Sequence, residues 1–179
     1  MNYKEYLIKR NIGAMERIAI ILLYVAAFFV MLCCFTFLNF LGGVQGIIAV
    51  GAFFLAYFLA GRLKKEFEYT FMDDSVDIDI IYNQSRRKKL ISFSVKDVEL
   101  IASMKDEAHN HRRKEDFDKV IDASSWRADV AVYFVILHHQ GQKTAIKFEP
   151  PYSCLKLMKK YAPDKVFISD SDIVDNDFE

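Results

Sequence analysis

The sequence predicts an α+β membrane protein: an N-terminal two-helix transmembrane hairpin, then a seven-stranded antiparallel barrel closed by a C-terminal helix. Three observations predict it. No charged side chain occurs between Ile18 and Gly61. From Phe67 onward apolar and polar residues alternate, the period of a strand with one buried face. After Pro150-Pro151 the helical period returns for a single segment.

The uncharged stretch is too long for one crossing, because a helix traverses a hydrocarbon core of about 30 Å in roughly 20 residues. It divides into spans at about 18–38 and 43–60. Between them Asn39 and the run Leu41-Gly42-Gly43-Val44-Gln45-Gly46 suit a turn at a headgroup boundary. Lys4, Lys9, Arg10 and Arg17 precede the first span, Arg62, Lys64 and Lys65 follow the second, and the turn carries no cation. Lys/Arg-rich flanks stay inside, so both termini are expected in the cytoplasm and the protein in the cell membrane. A cleaved signal peptide is excluded by the length of the run and by the second span that follows it. No ionisable group lies within either span, which argues against a channel or pump acting alone.

Composition averages over these two parts. Lys and Arg number 24, as do Asp and Glu, but this zero balance mixes an uncharged hairpin with a heavily charged domain. Each part has to be read alone. Cys33 and Cys34 fall in the first span and Cys154 in the C-terminal helix, a spacing that suggests neither a disulfide frame nor a zinc site.

In residues 1–17 the apolar positions Tyr3, Tyr6, Leu7, Ile8, Ile12 and Met15 recur among Lys and Arg, predicting a short interfacial helix. In the second span Gly42 and Gly46, then Ala52, Ala56 and Ala60, are spaced by four and fall near one face. Small residues so placed let helices approach closely. The stripe is expected to pack on the first span, or to join hairpins into a homo-oligomer.

The cytoplasmic domain is expected over 63–168. Phe67, Tyr69 and Phe71 alternate with polar residues, as do Val76, Ile78 and Ile80, then Leu90 to Phe93, each set divided by a turn at Asp73-Asp74 or Asn83-Gln84-Ser85. Further strands are predicted at Val98–Ala102, Val120–Ala123, Val130–His138 and Thr144–Phe148, with a polar mobile loop from Lys105 to Lys119 and a turn at Gln140-Gly141-Gln142. Leu155, Met158 and Tyr161 share one face of the closing helix, which Pro163 stops. Residues 169–179 form an acidic tail, expected to be disordered.

Seven short strands and a final amphipathic helix are the order of a pleckstrin-homology-like (PH-like) domain. The hairpin, Glu68-Tyr69-Thr70-Phe71 followed by Val76-Asp77-Ile78-Asp79, the run from Ser92 to Glu99, and Phe148-Glu149-Pro150 together resemble a family of bacterial two-span membrane proteins with a cytoplasmic PH-like domain. The resemblance implies the layout and a bacterial setting; it carries no catalytic motif.

Chemistry-bearing clusters are sparse. Asp73, Asp74, Asp77 and Asp79 lack the glycine and distal Glu of a calcium loop, and Asp79 is expected to pair with Lys88 across a hairpin. His138 and His139 are adjacent on a strand and point to opposite faces, so no metal site is expected. Neither a nucleophile elbow nor a glycine-rich phosphate loop is present, and no enzyme or cofactor is predicted. Arg86, Arg87, Lys88 and Lys89 form the best candidate site, a cluster able to meet anionic lipid, with Arg112-Arg113-Lys114 a second basic run. Nucleic acid is not expected, since no aromatic platform interleaves the cations. The sequence thus points to a membrane-anchored adaptor or regulator whose barrel binds a protein partner or the inner leaflet. The alternative is an accessory subunit that acts through its hairpin.

Overall fold

The computed structural model describes residues 3–37 and 43–169. The chain forms two units. One is helical, comprising Asn11–Lys65 and Tyr82–Arg86; the other comprises the residues up to Arg10, Glu66–Ile81, and the chain from Arg87 onward.

In the helical unit, α1 (Ala14–Phe37) and α2 (Val44–Leu63) pack against each other. Their 24 and 20 residues reach about 36 and 30 Å at 1.5 Å per residue. Both are long and apolar enough to cross a membrane. Each extends beyond the uncharged run on its outer side, taking in Glu16 and Arg17, or Arg62. Glu16 suits the positive end of α1 and accepts the Gly13 N–H at 3.0 Å. The turn expected around Asn39 and Gly42 lies outside the described residues.

The other unit is built on two sheets. Its first strand is the largest departure from expectation: Tyr3–Lys9 is not an interfacial helix but a strand, β1, paired antiparallel with β2 (Lys65–Met72) from Tyr3↔Met72 to Lys9↔Glu66. Period two prevails, with Ile8 buried and Tyr3, Glu5, Leu7 and Lys9 exposed. The partner strand lies on the far side of the hairpin in sequence, so local spacing could not signal it. The domain therefore begins before the hairpin, not at residue 63.

β3 (Ser75–Tyr82) and β4 (Arg86–Ser94) complete the first sheet, ordered β1-β2-β3-β4. Asn83 and Gln84 hold positive φ in the three-residue β3–β4 connection, and Gln140 and Gly141 do so in the later hairpin, the backbone that its two-residue connection requires. Ser94 then caps a single 3-10 turn by accepting the Lys96 N–H.

The second sheet contains β5 (Val98–Ser103), β6 (Lys119–Asp122), β7 (Tyr133–His139), β8 (Gln142–Phe148) and β9 (Val166–Phe167), in the order β6-β8-β7-β5-β9. All seven expected strands are present, and β1 and β9 bring the number among the described residues to nine. The sheets remain open, of four and five strands, rather than closing into one barrel. Nor is the pairing antiparallel throughout. β6 runs parallel to β8 and β9 parallel to β5, because a long excursion and a helix, not hairpin turns, deliver these strands to their places.

That excursion, Met104–Asp118, is not the mobile loop expected. It carries the short helix α3 (Asn110–Arg113) and is held by Arg112 to Glu99 (2.6 Å) and Lys143 to Glu115 (2.7 Å). Met104 and Phe117 pack on Leu100, Ala102, Phe134 and Ile136.

The last helix, α4 (Tyr152–Tyr161), starts after Pro151, which needs no N–H there, and buries Cys154, Leu155 and Met158. A polar knot runs through the core beside it. Tyr69 Oη donates to the Ala123 carbonyl (2.5 Å) and accepts the Glu149 N–H (3.3 Å), while Glu149 Oε1 accepts the Ser125 N–H (2.9 Å). Burial raises the Glu149 carboxyl pKa, opposed by the Ser125 bond. Glu149 thus serves to hold irregular chain onto β2.

Candidate functional site

The residues of the expected helix-packing stripe differ in burial along α2. Ala56 and Ala60 are buried, as are Ala49 of α2 and Ala27 and Cys34 of α1. Ala52 is only half-buried. A Cβ added at Gly46 would meet nothing within 4 Å, so no close approach depends on that glycine. Gly42 lies outside the described residues. The spacing of four drifts off the contact face, because each step of four overshoots a helical turn of about 3.6 residues.

At Gly61 the lack of a side chain is used. A Cβ there would sit 3.0 Å from Asn83 Cγ and Oδ1, and the Asn83 N–H donates to the Lys64 carbonyl at 3.2 Å. The β3–β4 turn, Tyr82–Arg86, is therefore bound to the C-terminal end of α2, beside Arg62, Lys64 and Lys65. Sequence reading missed this contact, since neither residue stands out alone.

The four expected lipid-binding cations begin β4 and divide into two kinds. Arg87 Nη2 lies 2.5 Å from Glu68 and 3.8 Å from Glu5, and Lys89 Nζ lies 3.1 Å from Asp77. Arg86 and Lys88 are exposed and make no ion pair among the described residues. The expected Asp79–Lys88 pair is absent: Lys89 and Asp77 form the bridge instead, with Ser92 also donating to Asp77, while Asp79 Oδ1 is left without a partner. Half of the cluster is thus neutralised by its own sheet.

Behind Arg87 lies a carboxyl pair the sequence did not announce, since β1 brings it together. Glu68 is buried, and this raises its pKa to about 7, with the hydrogen bond it shares with Glu5 acting in the same direction and Arg87 opposing. Glu5 is shifted down, chiefly because Glu68 bonds to it and then because Tyr3 donates to it at 2.7 Å. Two carboxyl groups holding one proton fit these opposite shifts.

Elsewhere acidic and imidazole side chains pair with their neighbours. Asp74 pairs with Lys96 (3.0 Å), His109 with Asp106 (2.7 Å) and His138 with Glu99 (2.8 Å). Among the described residues no three His, Cys, Asp or Glu side chains gather as a metal site would require.

Open, antiparallel-rich sheets followed by an amphipathic C-terminal helix fit a domain of the PH-like class. The chain belongs to the bacterial PH-like domain family (DUF6106), whose model matches residues 2–168. The match takes in β1 and both apolar helices as well as the sheets. No curated protein and no solved structure matches the chain.

Proposed function

We propose that the protein is a two-span membrane anchor with its PH-like domain in the cytoplasm. It acts without catalysis, as an adaptor or regulator whose β3–β4 turn rests on the anionic inner leaflet. The observation that carries this reading is the bond from Asn83 to Lys64 beside Gly61, which keeps Arg86 near the cationic end of α2. Each cation there contributes about 1 kcal/mol near an anionic surface. The β1–β2 pairing also supports two crossings, because Lys9 and Glu66 are sheet neighbours and must share one side of the bilayer. The accessory-subunit alternative draws less support, since Ala56 and Ala60 are already buried in a hairpin whose two helices contact each other.

The test uses the full chain, because β1 lies ahead of the hairpin. In nanodiscs containing phosphatidylglycerol, amides of Gln84 to Lys88 should exchange more slowly than in phosphatidylcholine alone. Salt should remove the difference. Replacing Arg86 and Lys88 with Gln should also remove it, while Lys89→Gln should change it little. Equal exchange in both lipids would defeat leaflet contact and favour a protein partner.

A further inference from the structure

α3 carries two adjacent arginines in opposite circumstances. Arg112 is satisfied by carboxylates, with Glu99 at 2.6 Å and Glu115 at 3.1 Å. Arg113 is half-buried, and its guanidinium donates only to neutral acceptors, the Met104 carbonyl and Asn110 Oδ1. Its Nε is buried without a partner. A guanidinium held in place by neutral groups and partly withdrawn from water is a charge without compensation, and an anion is what would relieve it.

Next to it lies a cavity of about 360 Å³. Met104, Phe117, Phe134 and Ala145 make its wall largely apolar, and Arg113, Lys114 and Lys147 also line it. Neither lysine makes an ion pair among the described residues. The volume is at the small end of the range for small-molecule pockets, which combine apolar walls with a few convergent polar groups. Three cations beside one apolar recess complement a molecule with an anionic head and a short apolar body.

We propose that this cavity binds a single-chain carboxylate, its head on Arg113, Lys114 and Lys147 and its chain against Met104, Phe117 and Phe134. The site belongs to the second sheet and its excursion, and it is separate from the β3–β4 turn. It is also independent of leaflet contact.

The experiment follows the methyl resonances of [methyl-¹³C]methionine in the full chain, held in a non-ionic detergent, with decanoate as the probe. Decanoate should shift the Met104 signal saturably, and decanol at equal concentration should bind about tenfold or more weakly, the loss expected for charge-assisted hydrogen bonds. A chain with Arg113→Gln and Lys147→Gln should lose a similar factor. Because the first change also removes donors that hold the excursion, Lys147→Gln alone supplies a second arm and should weaken decanoate while leaving decanol unchanged. Equal binding of decanoate and decanol would reduce the site to an apolar recess and overturn the proposal. So would a Met104 signal that ignores decanoate but moves when residues 170–179 are removed, which would make the chain's own acidic segment the occupant.

Discussion

The two units of this protein invert each other's packing. In the sheet unit the large residues are inside: Phe67, Tyr69, Phe148, Leu155 and Met158 are all within 2% of complete burial. In the helical unit Ile21, Leu22, Phe29, Phe54 and Tyr57 are at least 60% exposed, and the buried positions among the described residues are Ala27, Cys34, Ala49, Ala56 and Ala60. Water drives large apolar side chains together. Lipid offers no such drive, so helices associate where small residues let their backbones close. Large apolar residues left outward over two long helices amount to a surface matched to hydrocarbon. The comparison teaches that residue size has opposite meaning in the two units, and that is open to test.

The largest effect is expected in the sheet unit. Leu155→Ala empties a fully buried position and should cost about 2–5 kcal/mol. Denaturant unfolding followed by the fluorescence of Trp126, the one tryptophan of the sequence, would measure it. The same kind of truncation on the outer face of α1, Phe29→Ala, should leave unfolding unchanged. Comparable losses at both positions would end the contrast.

In the helical unit the damaging change is an enlargement. Ala56→Leu should cost about 1–3 kcal/mol by overpacking, read as lost protease resistance of the hairpin in detergent. Ala52→Leu should cost less, since Ala52 is half-buried. A larger loss at Ala52 would mean that the contact face is rotated from the one described.

A smaller, pH-dependent effect should appear at Glu68. Its folded pKa of about 7 lies above its ordinary value of 4.5, so between these values the folded chain keeps a proton that the unfolded chain has released. Stability contributed by this group is full below pH 4.5 and falls as pH rises towards 7. Glu68→Gln should flatten that slope and stabilise the fold above pH 7. An unaltered slope would mean that burial does not hold the proton on Glu68.

Much of this was legible in residue order. Seven strands could be placed because alternation at Phe67–Phe71 or Val76–Ile80 is a local property, and the closing helix because Pro151 and the Leu155–Met158 spacing are too. β1 was not legible: Tyr3, Tyr6, Leu7 and Ile8 satisfy a helical spacing as readily as an alternating one, and β2 decides between them from beyond the hairpin. The basic cluster was visible as a run of letters, but which of its members were free depended on Glu68 and Asp77 of other strands. In residue order Arg113 is only one member of a basic run, and the lone Phe117 is the sign that the excursion has something to pack.

By itself, the sequence determined that this chain has two long apolar helices and a strand-rich domain, because hydrophobic length and period are written along the chain. Only the tertiary structure decided that the domain's first strand precedes the helices, that its sheets stay open and partly parallel, and which cations keep an uncompensated charge. Those outcomes are set by partners distant in sequence, and no local pattern carries a contact between residues that only folding brings together.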